Sequence, residues 1–195
     1  MKTFERSLAI LARRPCWKPT ITQLPPHIPI RLKMGSSCIH NIGSFAIEST
    51  KQGDCIGTMG GEVINFREVL RRIKKKKLTA DDPLQIGGDL FLDLDTPSMA
   101  INHGCTPNVG VGGVTTIIAL RDIEAGEEVI FDYSTTVSAN IDPASWSMKC
   151  HCGSQYCRSL IQNVTTVPNT QLLEYNRLGA LQTYIVDELS ERGML

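Results

Sequence analysis

Three cysteines within eight residues, Cys150, Cys152 and Cys157, constrain this chain more than any other feature. They form Cys-x-Cys-x4-Cys, and free thiols at that density rarely gather without a shared partner. Three thiolates can converge on one cation only where the backbone turns tightly, which Gly153 permits. Zinc takes a tetrahedral set of soft donors, and a structural site is closed by a fourth protein ligand. Cys105, Cys16, Cys38, Cys55, His151 and His103 are the candidates for that place. The chain has seven cysteines and no secretory signal at its start, so thiols and metal ligands take precedence over disulfides.

Length and composition remove other classes. The 195 residues are 42% hydrophobic, enough for one domain with a core. No apolar run approaches the roughly 18 residues that cross a bilayer. The zero net charge is a sum of unequal blocks: +6 over 1–34, −2 over 35–65, +6 over 66–77, −10 over 78–142 and 0 over 143–195. Such blocks, rather than their total, carry information about partners. The start, MKTFERSLAILARRPCW, reads as a basic N-terminal arm or short helix, with a weaker likeness to an organelle-targeting segment.

Residues 18–30 carry four prolines and read as a linker or irregular strand. From Ser44 onward, short strand-like runs alternate with glycines, with turns or bulges at Gly57, Gly60 and Gly61. Phe66, Val69, Leu70 and Ile73 give residues 66–77 one apolar helical face. In GGDLFLDLDT, Leu90, Leu92 and Leu94 alternate with Phe91, Asp93 and Asp95, as in a strand. Residues 114–120 and 128–133 are further strands, the second following a turn around Ala125 and Gly126. The tail is helical: Leu172, Leu173, Tyr175, Asn176, Leu178, Leu181 and Ile185 recur at helical spacing, with Gly179 a point of division.

Two segments carry the functional signal. Asn102-His103-Gly104-Cys105-Thr106-Pro107-Asn108 is followed 18 residues on by Gly126-Glu127-Glu128-Val129-Ile130-Phe131-Asp132-Tyr133. This pair resembles the two signature segments of the SET-domain protein lysine methyltransferases. Gly43-Ser44-Phe45-Ala46 and Gly60-Gly61-Glu62-Val63-Ile64 are similar to the family's opening glycine turn and its Gly-Glu-hydrophobic strand. The cysteine cluster with Arg158 resembles the post-SET zinc module, and all five elements stand in the family's order.

The resemblance implies a mostly β SET-domain fold, with several short β-sheets and a pseudoknot of the β-clip type, a basic helical insert and a helical C-terminal tail. It implies a basic N-terminal extension at 1–34, the SET domain at 35–135, a post-SET zinc module at 146–162 and the helical tail at 163–195. It supplies Cys105 as the fourth zinc ligand beside Cys150, Cys152 and Cys157. S-adenosyl-L-methionine is the implied methyl donor, bound by Gly43, Ser44, Phe45, Asn102, His103 and Tyr133, with Trp146 and His151 placed to cover it. Tyr133 is the implied catalytic residue; Phe91 and Phe131 line the substrate channel, where a phenylalanine at 131 leaves room for more than one methyl per lysine. The implied partner is a protein with an exposed lysine, a histone tail or another basic protein, in the nucleus or cytoplasm.

The chain departs from the family pattern in places. Met99-Ala100-Ile101 replaces the usual Arg-Phe before Asn-His, Gly104 stands for serine, Asn41 for the first turn glycine and Phe91 for a channel tyrosine. A catalytically weak SET-like module that binds a protein tail or nucleic acid is therefore an alternative reading. A zinc-stabilised nucleic-acid-binding domain is a third, but it leaves Asn102, His103 and Tyr133 without a purpose. Arg71 to Lys77 holds six basic residues in seven, either an import signal or nucleic-acid patch or a solvated helix face.

Overall fold

The structure is a computed structural model that describes residues 24, 26–79, 82–144 and 146–195. The N-terminal arm or helix, Cys16 and the start of the proline-rich linker lie outside the described residues.

The short β-branched runs build one seven-stranded sheet. Strands β1 (Leu32–Ser36) and β2 (Ile42–Ala46) pair antiparallel around a turn in which Asn41 adopts φ 39°. Asparagine tolerates that left-handed conformation better than most residues, so Asn41 can serve where glycine would. Strand β1 begins inside the segment assigned above to the N-terminal extension. Further strands are β3 (Cys55–Thr58), β4 (Gly61–Asn65), β5 (Leu84–Gly87), β6 (Leu90–Leu94), β7 (Asn102–His103), β8 (Val109–Gly112), β9 (Thr116–Ala119) and β10 (Glu128–Phe131). The large sheet runs β1-β2-β10-β8-β9-β3, with β7 also on β10. Strand β10 is therefore the hub, antiparallel to β2 and parallel to both β7 and β8.

The second sheet, β4-β6-β5, closes the core. Alternation in β6 serves both sides: Leu92, 0% exposed, joins Val109, Ile117 and Val129 in the main core, whereas Phe91 turns to Ile64, Val69 and Ile141. Helix α1 (Phe66–Lys74) begins where the Asn65 side chain accepts the Glu68 amide at 3.0 Å. This is an N-cap satisfying an otherwise unpaired donor. The helix ends three residues before the basic run does.

A hairpin of β11 (Met148–Lys149) and β12 (Leu160–Ile161) frames the cysteine loop. Helices α2 (Asn169–Arg177) and α3 (Thr183–Ser190) form the tail, divided at Gly179 with φ 68°. Leu172, Tyr175, Ile185 and Leu189 pack with Leu120 and Ala139 of the preceding domain. A side chain at Gly112 would collide with the Gly179 carbonyl, so the tail lies directly on β8. Among the described residues no helix is long and apolar enough to cross a membrane.

Because the tail shares its core with residues 120 and 139, unfolding should be a single transition. Leu172→Ala, at a site 0% exposed, should lower stability by about 2–5 kcal/mol without splitting that transition, as read by urea denaturation followed by circular dichroism.

Candidate active site

Strand β10 delivers the central residues. Phe131 is its last residue and is buried; Asp132 then caps a 3-10 turn, Tyr133–Thr136, by accepting the Ser134 amide at 3.0 Å. Parallel pairing sets Ile130 beside Asn102 and Phe131 beside His103, so the two signature segments meet side by side. The Tyr133 ring lies 4.7 Å from that of Phe131 and 5.4 Å from that of His103, centroid to centroid. Its hydroxyl donates to the Ile101 carbonyl at 2.8 Å. Gly104 has a local reason: a Cβ there would stand 2.5 Å from Ile130 Cδ1, so the Ile130 methyl fills the space a serine would need.

Asn102, Phe131 and Tyr133 open on a cavity of about 800 Å³, whose lining does not include His103. Asn102, Phe91, Phe131, Tyr133, Asn41 and Trp146 are among its lining residues, and most of its wall is apolar. The volume falls within the range of sites that enclose small ligands. Asn102 Nδ2 donates to Glu128 Oε1 at 2.8 Å, the Ile42 carbonyl at 3.0 Å and Ser37 Oγ at 3.1 Å, tying β7 to the β1–β2 turn.

Gly43, Ser44 and Phe45 stand behind that wall rather than on it. Gly43 faces the Glu128 carboxylate, Ser44 is 0% exposed with its hydroxyl on the Pro97 carbonyl at 2.8 Å, and Phe45 covers Gly35. The residues just before them, His40, Asn41 and Ile42, reach the cavity. Gln85, Thr136, Val137 and Ile141 also line it. No motif announces these four, because β5 and the segment after Tyr133 meet only through the fold.

The thiols gather beneath. Cys105 and Cys150 Sγ are 3.7 Å apart, close to the ~3.8 Å edge of a tetrahedron with zinc–sulfur bonds of about 2.3 Å. Cys157 lies within reach of Cys150 and Cys152. The Cys152 thiol is lowered to about 7: burial opposes this, but the amides of Cys105 and Ser154 and the neighbouring thiols outweigh it. Burial pushes the Cys150 and Cys105 thiols up. His103 Nε2 also comes within 4.8 Å of the Cys105, Cys150 and Cys152 sulfurs. Its Nδ1 accepts the Tyr133 amide at 3.2 Å, which puts the hydrogen on Nε2 facing Cys105 Sγ at 3.3 Å. With that hydrogen His103 offers no lone pair to a metal, and it acts as a donor to a sulfur. Burial lowers its pKa to about 4, so the ring is neutral. Among the described residues the thiols of Cys105, Cys150 and Cys152 thus form the candidate metal cluster, with Cys157 beside Cys150 and Cys152 as a further thiol. Cys38 and His151 are exposed, and Cys55 sits in β3 with its thiol on the Gly57 carbonyl.

Residues 41–134 match the family described as SET domain. The chain carries a SET domain. It is 32% identical over 144 residues to "Histone-lysine N-methyltransferase, H3 lysine-4 specific" of Schizosaccharomyces pombe, a match covering 67% of this chain and 15% of the relative. It is 32% identical over 168 residues to "Histone-lysine N-methyltransferase TRX1" of Oryza sativa subsp. japonica, covering 78% and 16% respectively. The chain thus spans less than a fifth of either relative. A solved structure of apo ctPRC2 with a doubly substituted Ezh2 superposes with a TM-score of 0.51 at 22% identity, covering 57% of this chain and 16% of that one, and shares the fold. The mostly β SET-domain fold expected from the sequence is the one observed.

The thiol loop is locked to the SET domain by Arg158, the residue after the last cysteine. Its guanidinium makes two 2.6 Å bonds to the Asp132 carboxylate and one of 3.1 Å to Ser134 Oγ. Asp132 is 0% exposed and Arg158 16%. A bidentate buried pair of this kind is costly to break on one side, because it strands a charge. Asp132→Asn should cost about 3–5 kcal/mol, and Arg158→Met added to it should cost little more. Chemical denaturation of the two single variants, the double variant and the parent checks this coupling.

Proposed function

We propose that this chain transfers methyl groups from S-adenosyl-L-methionine to the ε-amine of a lysine in a histone. The observation that carries the proposal is the convergence of Tyr133, Phe131, Phe91 and Asn102 on one cavity inside a SET domain. The names of the relatives, both histone-lysine N-methyltransferases, support the histone as substrate class. A nuclear location follows from that substrate.

Bound S-adenosyl-L-methionine would supply a sulfonium-activated methyl group. Asn102 and the turn at 40–42 line the part of the cavity proposed to hold it, and Trp146 bounds the same cavity from the post-SET side. The lysine must lose its proton before it can attack, although its free pKa is about 10.4. Phe91, Phe131, Leu84, Val137 and Ile141 give the cavity apolar walls, which disfavour the ammonium form and lower that pKa. Tyr133 is held rigidly, its amide on His103 Nδ1 and its hydroxyl on the Ile101 carbonyl. Its oxygen is the polar group that orients the neutral amine, and positioning is the main demand of an in-line displacement. Phe131 brings no hydroxyl to the cavity, so the amine keeps room to turn and accept a further methyl.

Zinc bound by Cys105, Cys150, Cys152 and Cys157 would hold the post-SET loop against the SET domain and so help complete the cavity wall at Trp146. Purified protein is expected to contain one zinc per chain by atomic emission. The content should fall to background in a Cys150→Ser, Cys152→Ser variant.

The proposal for Tyr133 is tested with labelled donor and histone H3. Tyr133→Phe should reduce transfer by roughly 100-fold while donor binding, measured by calorimetry, persists. Full activity in that variant would remove Tyr133 from the mechanism, and absence of donor binding by the parent would remove methyl transfer altogether.

A further inference from the structure

The basic run at the end of α1 divides into two groups with different fates. Arg71 and Arg72 are committed within the fold. Arg71 pairs with Glu68, and Arg72, 16% exposed, binds Glu68, Glu62 and Asp93 together. Lys74, Lys75, Lys76 and Lys77 are all exposed, and among the described residues no ion pair holds any of them. Nor are they a loose run. The Lys75 amide bonds the Arg71 carbonyl at 3.1 Å, that of Lys76 the Ile73 carbonyl at 2.9 Å and that of Lys77 the Arg72 carbonyl at 3.0 Å, with Lys76 at φ 56°. Ile73 and Leu78, which bracket them, pack onto the cluster around Phe91. Four ammonium groups are thus presented together on a fixed turn.

The helix macrodipole favours cations only within the last turn, which accounts for Lys74 and leaves the three that follow unexplained. Their place is informative. Lys77, Leu78 and Thr79 line the candidate active-site cavity, so the lysines stand at its rim. The segment that forms most of that cavity, residues 78–142, has a net charge of −10. Of its carboxylates, Asp82 and Asp93 line the cavity, and Asp93 is paired with Arg72; a basic rim repels a basic substrate, so the rim meets something else that comes with the substrate. None of residues 71–79 is an exposed large hydrophobic. A protein partner is anchored by buried aromatic or aliphatic groups; a polyphosphate needs only clustered cations, through release of its counterions.

We propose that Lys74, Lys75 and Lys76 bind the phosphate backbone of duplex DNA that accompanies the basic protein substrate, holding that substrate beside the cavity. The choice of a DNA-associated substrate rests on the lysine-methylation reading above; the DNA contact itself does not. Lysines without aromatic neighbours contact phosphates as point charges and read no sequence.

The test uses the full chain, a mixed-sequence duplex of about 30 base pairs and fluorescence anisotropy from about 50 to 200 mM salt. Replacing Lys74, Lys75 and Lys76 by Gln should weaken binding about tenfold or more and reduce the slope of log affinity against log salt by roughly two to three. Replacing them by Arg should restore both values. Transfer to isolated histone H3 should be unchanged by the Gln set, and transfer to DNA-wrapped histone should fall. Unchanged affinity and slope with the Gln set, failure of the Arg set to restore them, or tighter binding of an acidic peptide than of DNA at equal salt would each overturn the proposal. A chain that binds DNA in this way yet methylates nothing would refute the methyl-transfer reading alone.

Discussion

The buried pair of Asp132 and Arg158 is the interaction on which the site depends. Asp132 lies between the last residue of the hub strand and the tyrosine of the cavity, and Arg158 follows the last cysteine of the zinc-type loop. One carboxylate therefore fixes the register of two elements far apart in sequence. It caps the turn that starts at Tyr133 and accepts two bonds from the guanidinium that seats the thiol loop. Burial makes the arrangement nearly all or none, since either charge without the other would be stranded in a medium that solvates it poorly. The Arg158 amide also points to Cys105 Sγ at 3.4 Å, so the ion pair and the thiol cluster share a residue.

The elements of the fold that lie within contiguous segments were legible in the amino-acid sequence. The strand alternation of Leu90 to Asp95 returned as β6 with Leu92 and Phe91 on opposite sides, and the tail divided at Gly179 as its helical spacing suggested. The signature segments meet because β7 and β10 pair in parallel, a contact that two short motifs imply only when both belong to one family. What escaped is assembled from distant pieces. Gln85 and Ile141 enter the cavity wall through tertiary packing, with no local pattern to mark them. The glycine turn pointed to Gly43, Ser44 and Phe45, but the strand that follows carries those residues behind the wall and leaves the turn itself at the cavity. His103 shows a subtler limit. Its residue type suggested a ligand or a cofactor contact, whereas its tautomer is set by a backbone amide 30 residues away, and only the structure shows which nitrogen keeps its hydrogen.

Charge shows the same division between pattern and use. A zero total conceals opposed blocks, and within the basic block the arginines and lysines differ in kind. Guanidinium forks can satisfy several carboxylates at once, which is how Arg72 joins α1 to β4 and β6. The lysines, as single strongly hydrated charges, remain outside the fold and available to solvent.

The Tyr184 hydroxyl donates to the Thr136 carbonyl at 2.7 Å, and Gln182, 0% exposed, reaches the carbonyls of Gln85 and Val114. Thr136 and Gln85 both belong to the cavity wall. During synthesis on the ribosome, the residues of both signature segments leave the exit tunnel well before the tail that props this wall. The cavity can therefore reach its final shape only after Tyr184 has emerged, and a nascent chain stalled short of that point would hold every signature residue without a finished pocket around them.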